Sequence, residues 1–258
     1  MKKHILDFTV KHNHSISSNS SCLILSAKNK LPEIHPGQFA QLRVDDSSET
    51  FLRRPISVFF VDYEANELWL LIQKVGKGTS KLCSLQVGDI LNIILPLGKG
   101  FTFPESINDN ILLIGGGVGV APLLYFGAEL QKKGFKCNFL LGAKNLDSLL
   151  MIDEFRKYGT VYITTEDGSY GERGFVTQHS VLQQQNFDRI YTCGPTPMMK
   201  AVADFAQKNK IFCEVSLENT MACGIGACLC CVTETNDGNV CVCTEGPVFN
   251  IEKFPAVK

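Results

Sequence analysis

The residues with the most evident chemistry are cysteines. Of the eleven in the chain, six lie between positions 223 and 243: Cys223, Cys228, Cys230, Cys231, Cys241 and Cys243. The other five, Cys22, Cys83, Cys137, Cys193 and Cys213, are scattered. The N-terminus, Met1-Lys2-Lys3-His4-Ile5-Leu6-Asp7, puts an acid where a secretion signal needs its apolar run. With an odd cysteine total, this argues against a disulfide framework. A cytoplasmic protein is expected, and clustered thiols there bind metal. The spacing Cys223-x4-Cys228-x2-Cys231, with a further thiolate downstream, is that of a 2Fe–2S site. Each iron of such a core takes two thiolates, and backbone N–H groups complete the sulfurs. Gly224, Gly226 and the small Ala227 let the chain curl tightly around it. Zinc held by Cys228-x2-Cys231 and Cys241-x-Cys243 is one alternative, and a thiol-rich core without ligand is another. Spacing does not choose between Cys241 and Cys243 as the fourth ligand. Cys230, adjacent to Cys231, is expected to point elsewhere.

Three further segments could hold phosphates. In Arg54-Pro55-Ile56-Ser57 a proline of fixed φ stands beside a guanidinium, which suits a pyrophosphate. Lys74-Val75-Gly76-Lys77-Gly78-Thr79 has the glycines and hydroxyl of a phosphate nest, or of an ordinary turn. Ile111–Pro122 reads as a buried strand, the glycine turn Gly115-Gly116-Gly117-Val118-Gly119, and a helix start. That arrangement lets a dinucleotide approach the backbone, although the spacing is not G-x-G-x-x-G. Cys193-Gly194-Pro195-Thr196-Pro197 repeats the pattern of strand end, tight turn and helix.

The elements that must position these residues follow from the apolar pattern. Up to about residue 103 the chain consists of short β-like runs, among them 21–26, 38–44, 57–61 and 67–72. Turn signals such as His35-Pro36-Gly37 and Leu97-Gly98-Lys99-Gly100 separate them. Many short strands at this spacing predict a small antiparallel barrel. The texture changes near 104–110. Apolar strands at 111–114, 137–141, 161–164 and 189–192 then alternate with helix-length segments at 121–133, 149–158, 174–184 and 197–209. That alternation predicts a doubly wound parallel sheet. The expected division is 1–103 for the barrel, 104–212 for the nucleotide domain and 213–258 for a small cluster module. A net charge of −1 gives no electrostatic argument for nucleic acid, and no run of 18 apolar residues predicts a membrane span.

Taken in order, Arg-Pro-x-Ser, Gly-Thr, Gly-Gly-Gly-x-Gly-x-Ala-Pro and Cys-Gly-Pro resemble the ferredoxin–NADP reductase superfamily. The tail Glu218-Asn219-Thr220-Met221-Ala222-Cys223-Gly224-Ile225-Gly226-Ala227-Cys228, with Cys243-Thr244-Glu245-Gly246-Pro247-Val248-Phe249, resembles one branch. That branch comprises the electron-transfer subunits of type B dihydroorotate dehydrogenases. The resemblance implies an antiparallel FAD-binding barrel, an NAD-binding α/β domain and a 2Fe–2S module. It implies FAD contacts at Arg54, Pro55, Ile56, Ser57, Leu71, Ile72, Gln73, Gly78 and Thr79. NAD contacts fall at Gly116, Gly117, Gly119, Cys193 and Gly194. The implied cluster ligands are Cys223, Cys228, Cys231 and Cys243. The resemblance further implies a heterotetramer in which a separate FMN-containing catalytic subunit oxidises dihydroorotate, with electrons passing through cluster and FAD to NAD⁺ in pyrimidine biosynthesis. A surface over Pro247-Val248-Phe249 is expected to receive that partner. The competing readings are the FAD/2Fe–2S subunit of an NAD(P)H–ferredoxin or sulfide oxidoreductase, and a redox-sensing module without catalysis.

Overall fold

A computed structural model describes residues 2–45 and 49–255. Its first part is a closed barrel of six strands: β1 (His4–Ser17), β2 (Ser20–Ala27), β3 (Phe39–Leu42), β4 (Arg54–Asp62), β5 (Glu67–Gln73) and β6 (Ile90–Leu97). A short helix, α1 (Lys77–Cys83), connects β5 to β6. The strand order is β1-β2-β5-β4-β3-β6, antiparallel throughout. Closure leaves no free sheet edge. The core is Phe8, Val10, Leu23, Leu25, Leu42, Val58, Phe59, Leu68, Leu70 and Ile93, all at or near zero exposure. Each such side chain contributes about 1.5–3 kcal/mol of transfer free energy. β1 has no continuous apolar run. It is held by pairing with both β2 and β6 and by the inward Phe8 and Val10.

The second part is a seven-stranded sheet with helices. Its elements run β7 (Ile111–Gly116), α2 (Ala121–Lys132), β8 (Cys137–Ala143), α3 (Ile152–Arg156), β9 (Thr160–Thr165), β10 (Glu172–Arg173), α4 (Val181–Gln184), β11 (Arg189–Cys193), α5 (Thr196–Lys208) and β12 (Phe212–Ser216). The cysteine-rich segment follows, with a two-stranded hairpin β13 (Val232–Thr235) and β14 (Gly238–Cys241), then α6 (Val242–Glu245) and β15 (Val248–Asn250). The sheet order is β10-β9-β8-β7-β11-β12-β15, parallel except for β15, which adds antiparallel to β12. Strand alternation sends successive residues to opposite faces. Leu112, Ile114 and Ile190 join Val202 and Ala206 of α5 in one cluster. Tyr191, the residue after Ile190, meets Phe126 of α2 edge-on at 4.8 Å.

Two local expectations change. Residues 174–184 do not form one helix: a 3₁₀ turn at Val176–Gln178 gives way to an extended His179 (ψ 136°) before α4. Gly174, at φ +126°, is itself outside helical space. The segment Lys74–Thr79 is no free turn, because α1 begins within it at Lys77. Among the described residues no helix is long and apolar enough to cross a membrane. The chain forms two compact units. One holds the barrel up to Gly100 together with Glu218–Pro247, and the other holds Phe101–Leu217 and the segment from Val248 onward.

Candidate functional site

The cysteine loop belongs to the barrel unit. Gly224 (φ +69°), Gly226 (φ +86°) and Leu229 (φ +57°) take left-handed conformations that bend the chain back on itself. A Cβ at Gly226 would stand 2.8 Å from Cγ2 of Thr244, so the close approach of α6 also requires glycine. The bend turns backbone amides onto sulfur. Ile225, Ala227 and Cys228 donate N–H to Sγ of Cys223 at 3.4, 3.3 and 3.4 Å. Gly226 donates to Sγ of Cys243 at 3.2 Å, and Cys243 N–H to Sγ of Cys231 at 3.4 Å. Cys223 is in side-chain contact with Cys228, and Cys243 with Cys231. Burial pushes the Cys223 thiol up, but the Ile225 amide, the Cys228 thiol and the amides of Cys228 and Ala227 together outweigh it and bring the thiol down to about 6. Burial, and then the neighbouring Cys231 sulfur, push Cys243 up to about 12.

This donor set fits a two-iron core. It offers two pairs of sulfurs, and amides already aimed at sulfur charge. Among the described residues no group of three or more His, Cys, Asp or Glu side chains is gathered to hold one metal ion. Of the remaining cysteines, Cys230 is exposed and turned away, its Sγ donating to the Thr220 carbonyl at 3.6 Å. Cys241 stands against Cys231 as well.

The second group of residues lies on β4, β5 and α1 of the same unit. Arg54–Ser57 opens β4, and Leu71–Gln73 closes β5, the neighbouring strand. The register pair Val58–Leu70 sets the two segments at the same end of that strand pair. Leu71 and Ile72 are buried, so what they can offer a ligand is backbone. Two adjacent arginines divide the work. Arg53 is a clamp, donating from Nη1 to the carbonyls of Gln41 and Asn92 at 3.2 and 3.0 Å and from Nη2 to Oδ1 of Asn92 at 2.6 Å. Arg54 has its Nη1 tied back to the Leu52 carbonyl at 2.9 Å, which fixes the plane of its fork. A Cβ at Gly78 would come 2.6 Å from Nε of Arg54 and 3.1 Å from Cγ2 of Thr50. The missing side chain therefore makes a cradle for the guanidinium. Thr50, 6% exposed, has a buried hydroxyl with no hydrogen-bond partner. An orphaned hydroxyl beside a fixed guanidinium fits a pyrophosphate. Thr50 belongs to no motif, and nothing in its sequence context marks it. The Thr79 hydroxyl accepts from the amides of Val75 and Gly76 at 2.9 and 3.2 Å, so it caps α1.

The third group lies in the α/β unit. β7 turns outward to β8 and β9, while β11 pairs on its other side, so β7 and β11 flank the switch in strand order. Ligands of such sheets bind beyond the carboxyl ends at that point. Register pairs Cys193 with Gly115 there. The glycines differ in role. A Cβ on Gly119 would collide with the backbone of Gly194, and one on Gly116 would come 2.5 Å from Sδ of Met198. Gly117 (φ +56°) would meet nothing within 4 Å, so its face is open. Thr192, next to Cys193, has a buried hydroxyl without a partner. An open glycine turn with two close-packed glycines behind it fits a nucleotide phosphate.

Comparison with known proteins gives a consistent family. Residues 218–254 match the iron–sulfur cluster binding domain of dihydroorotate dehydrogenase B, and residues 113–204 match an oxidoreductase NAD-binding domain. The chain is 37% identical to the dihydroorotate dehydrogenase B (NAD(+)) electron transfer subunit of Shouchella clausii, over 97% of this chain and 98% of that protein. It is 40% identical to the subunit of the same name from Caldanaerobacter subterraneus subsp. tengcongensis, over 95% and 96%. Among solved structures, a chain of the NADH-dependent reduced ferredoxin-NADP oxidoreductase superposes with a TM-score of 0.87 at 28% identity, covering 96% of this chain and 89% of that one. With near-complete coverage in both directions, and with folds and motifs that agree, the chain belongs to the family of dihydroorotate dehydrogenase B (NAD(+)) electron transfer subunits.

Proposed function

We propose that this chain is the subunit that relays electrons between a dihydroorotate-oxidising, FMN-containing catalytic partner and NAD⁺, in a cytoplasmic heterotetramer. The observation that carries this reading is the cysteine loop, whose amides are aimed at the sulfurs of Cys223, Cys231 and Cys243. Cys223, Cys228, Cys231 and Cys243 would hold the 2Fe–2S cluster. Arg54–Ser57, Leu71–Gln73, Gly78 and Thr79 would hold FAD, with Thr50 added. Gly116, Gly117, Gly119, Cys193 and Gly194 would hold NAD. A bound flavin exchanges single electrons with an iron–sulfur group and a hydride with nicotinamide. The residues would bind and orient: the Arg54 fork would hold phosphate, the loop amides would stabilise sulfur charge, and the Gly117 turn would admit the nucleotide.

The Pro247-Val248-Phe249 stretch expected to receive the partner is buried. Val248 and Phe249 are 6% and 8% exposed, because β15 is built into the sheet beside β12. They offer no docking face. The exposed apolar residues around the cysteine loop are Ile225 (45%), Leu229 (64%) and Val232 (38%). A partner docking there would come close to the cluster ligands.

The reductase-subunit alternative draws on the solved relative at 28% identity, below the 37% and 40% of the dihydroorotate dehydrogenase relatives. The purified protein tests the cofactor content. Flavin absorption bands with an iron–sulfur shoulder are expected, with two irons and two sulfides per FAD. Iron without flavin would favour a sensor, and zinc in place of iron would overturn the reading.

A further inference from the structure

Gln41 lies in β3, away from every motif, yet it joins two of the groups described above. Its side chain is fully buried, and both its amide nitrogen and its amide oxygen lack a hydrogen-bond partner. A buried amide left unpaired is costly, and such groups are rare in folded proteins. The residue is held firmly: its carbonyl accepts from Nη1 of Arg53, and register pairs it with Pro55 on β4 and Ile94 on β6. Its amide end lies against the cysteine loop. A Cβ on Gly224, the residue after Cys223, would stand 2.7 Å from both Cγ and Nε2 of Gln41. The loop's own amides already point to Cys223 and Cys243. Gln41 thus brings a free N–H donor to the loop from the strand that pairs with the Arg54–Ser57 segment.

We propose that the Gln41 side-chain amide donates a hydrogen bond to the sulfur of the iron–sulfur group held by the Cys223–Cys228 loop, and so raises its reduction potential. The inference rests on the 2Fe–2S reading above. A donor to sulfur favours the reduced form, which carries one more negative charge, and its loss lowers the potential. Gln41 is a positioning and tuning residue and takes no part in bond making. Unlike the backbone donors, it can be removed by substitution.

The test uses the loaded protein with Gln41→Met, which keeps the chain length and removes both polar atoms. The reduction potential is read by titration followed by electron paramagnetic resonance. A second readout is the coupling of the reduced cluster to exchangeable protons, compared in light and heavy water. The expected result is a downward shift equivalent to about tenfold in the one-electron equilibrium, ~59 mV, with one exchangeable-proton coupling lost. Iron, sulfide and FAD contents stay at wild-type values. Should the Met variant fail to load, Gln41→Leu decides by the same readouts. An unchanged cluster potential, or a shift confined to the flavin, overturns the proposal. A wild-type protein without a 2Fe–2S signal would instead refute the reading beneath it.

Discussion

At the scale of single residues, the structure separates cysteines that the sequence leaves nearly equivalent. Cys223, Cys231 and Cys243 receive backbone amides on sulfur, while Cys230 is exposed and occupied with the Thr220 carbonyl. We expect Cys223→Ser, Cys228→Ser, Cys231→Ser and Cys243→Ser each to lose the cluster, and Cys230→Ser and Cys241→Ser to keep it. Iron and sulfide analysis of each variant is the check. Loss in Cys241→Ser with retention in Cys243→Ser would reassign the fourth ligand, since Cys241 also stands against Cys231. The two arginines make a similar contrast. Arg53 is spent on Gln41 and Asn92, whereas Arg54 lies in the Gly78 cradle. Arg54→Ala should therefore lower FAD occupancy with the fold intact. A charge-assisted contact to phosphate is worth about 1.5–3 kcal/mol, or roughly tenfold or more in affinity. The flavin-to-protein ratio after desalting measures it, and wild-type stoichiometry would remove Arg54 from the site.

At the scale of elements, the turn before α4 carries a titratable weak point. His179 is 7% exposed, and its Nδ1 accepts the Val181 amide at 3.1 Å, which requires the neutral ring. Burial lowers its pKa from the ordinary 6.5, and the nearby Glu172 only partly opposes this. A histidine with a lowered folded value binds its proton more readily when unfolded. Its contribution to stability is therefore complete above about pH 6.5 and is lost as pH falls through the lowered folded value. Thermal unfolding between pH 7.5 and 5.0 should show a steeper fall for the wild type than for His179→Gln. Parallel curves would mean that His179 does not titrate in this range.

At the scale of the whole molecule, the barrel and the parallel sheet are legible in the sequence because both rest on local apolar pattern, short apolar runs bounded by turn signals in β2 and β5 and strand–helix alternation after residue 110. β1 is not, since its neighbours β2 and β6 hold it rather than an apolar run of its own. The cluster loop is legible because cysteine spacing and left-handed glycines are both local features. Thr50 and Gln41 are not, because an orphaned polar atom exists only once distant segments have packed around it. Pro247–Phe249 misleads for the same reason: an apolar tripeptide near a functional loop reads as surface until β12 claims it.

Under the proposed function, the chain relays electrons and depends on a catalytic partner for dihydroorotate chemistry. Oxidising dihydroorotate needs a catalytic base beside a flavin and a pyrimidine. The motifs of this chain are accounted for by the nicotinamide, flavin and cluster sites. The decisive measurement is dihydroorotate-dependent NAD⁺ reduction, assayed with this chain alone, with its catalytic partner subunit, and with the partner plus a Cys228→Ser variant. We predict NADH oxidation with an artificial acceptor by the chain alone but no dihydroorotate oxidation. Full coupling should appear once the partner is added, and the Cys228→Ser variant should lose that coupling while keeping its NADH–acceptor activity. Dihydroorotate-dependent NAD⁺ reduction by the isolated chain, or coupling that survives loss of the cluster, would contradict the account.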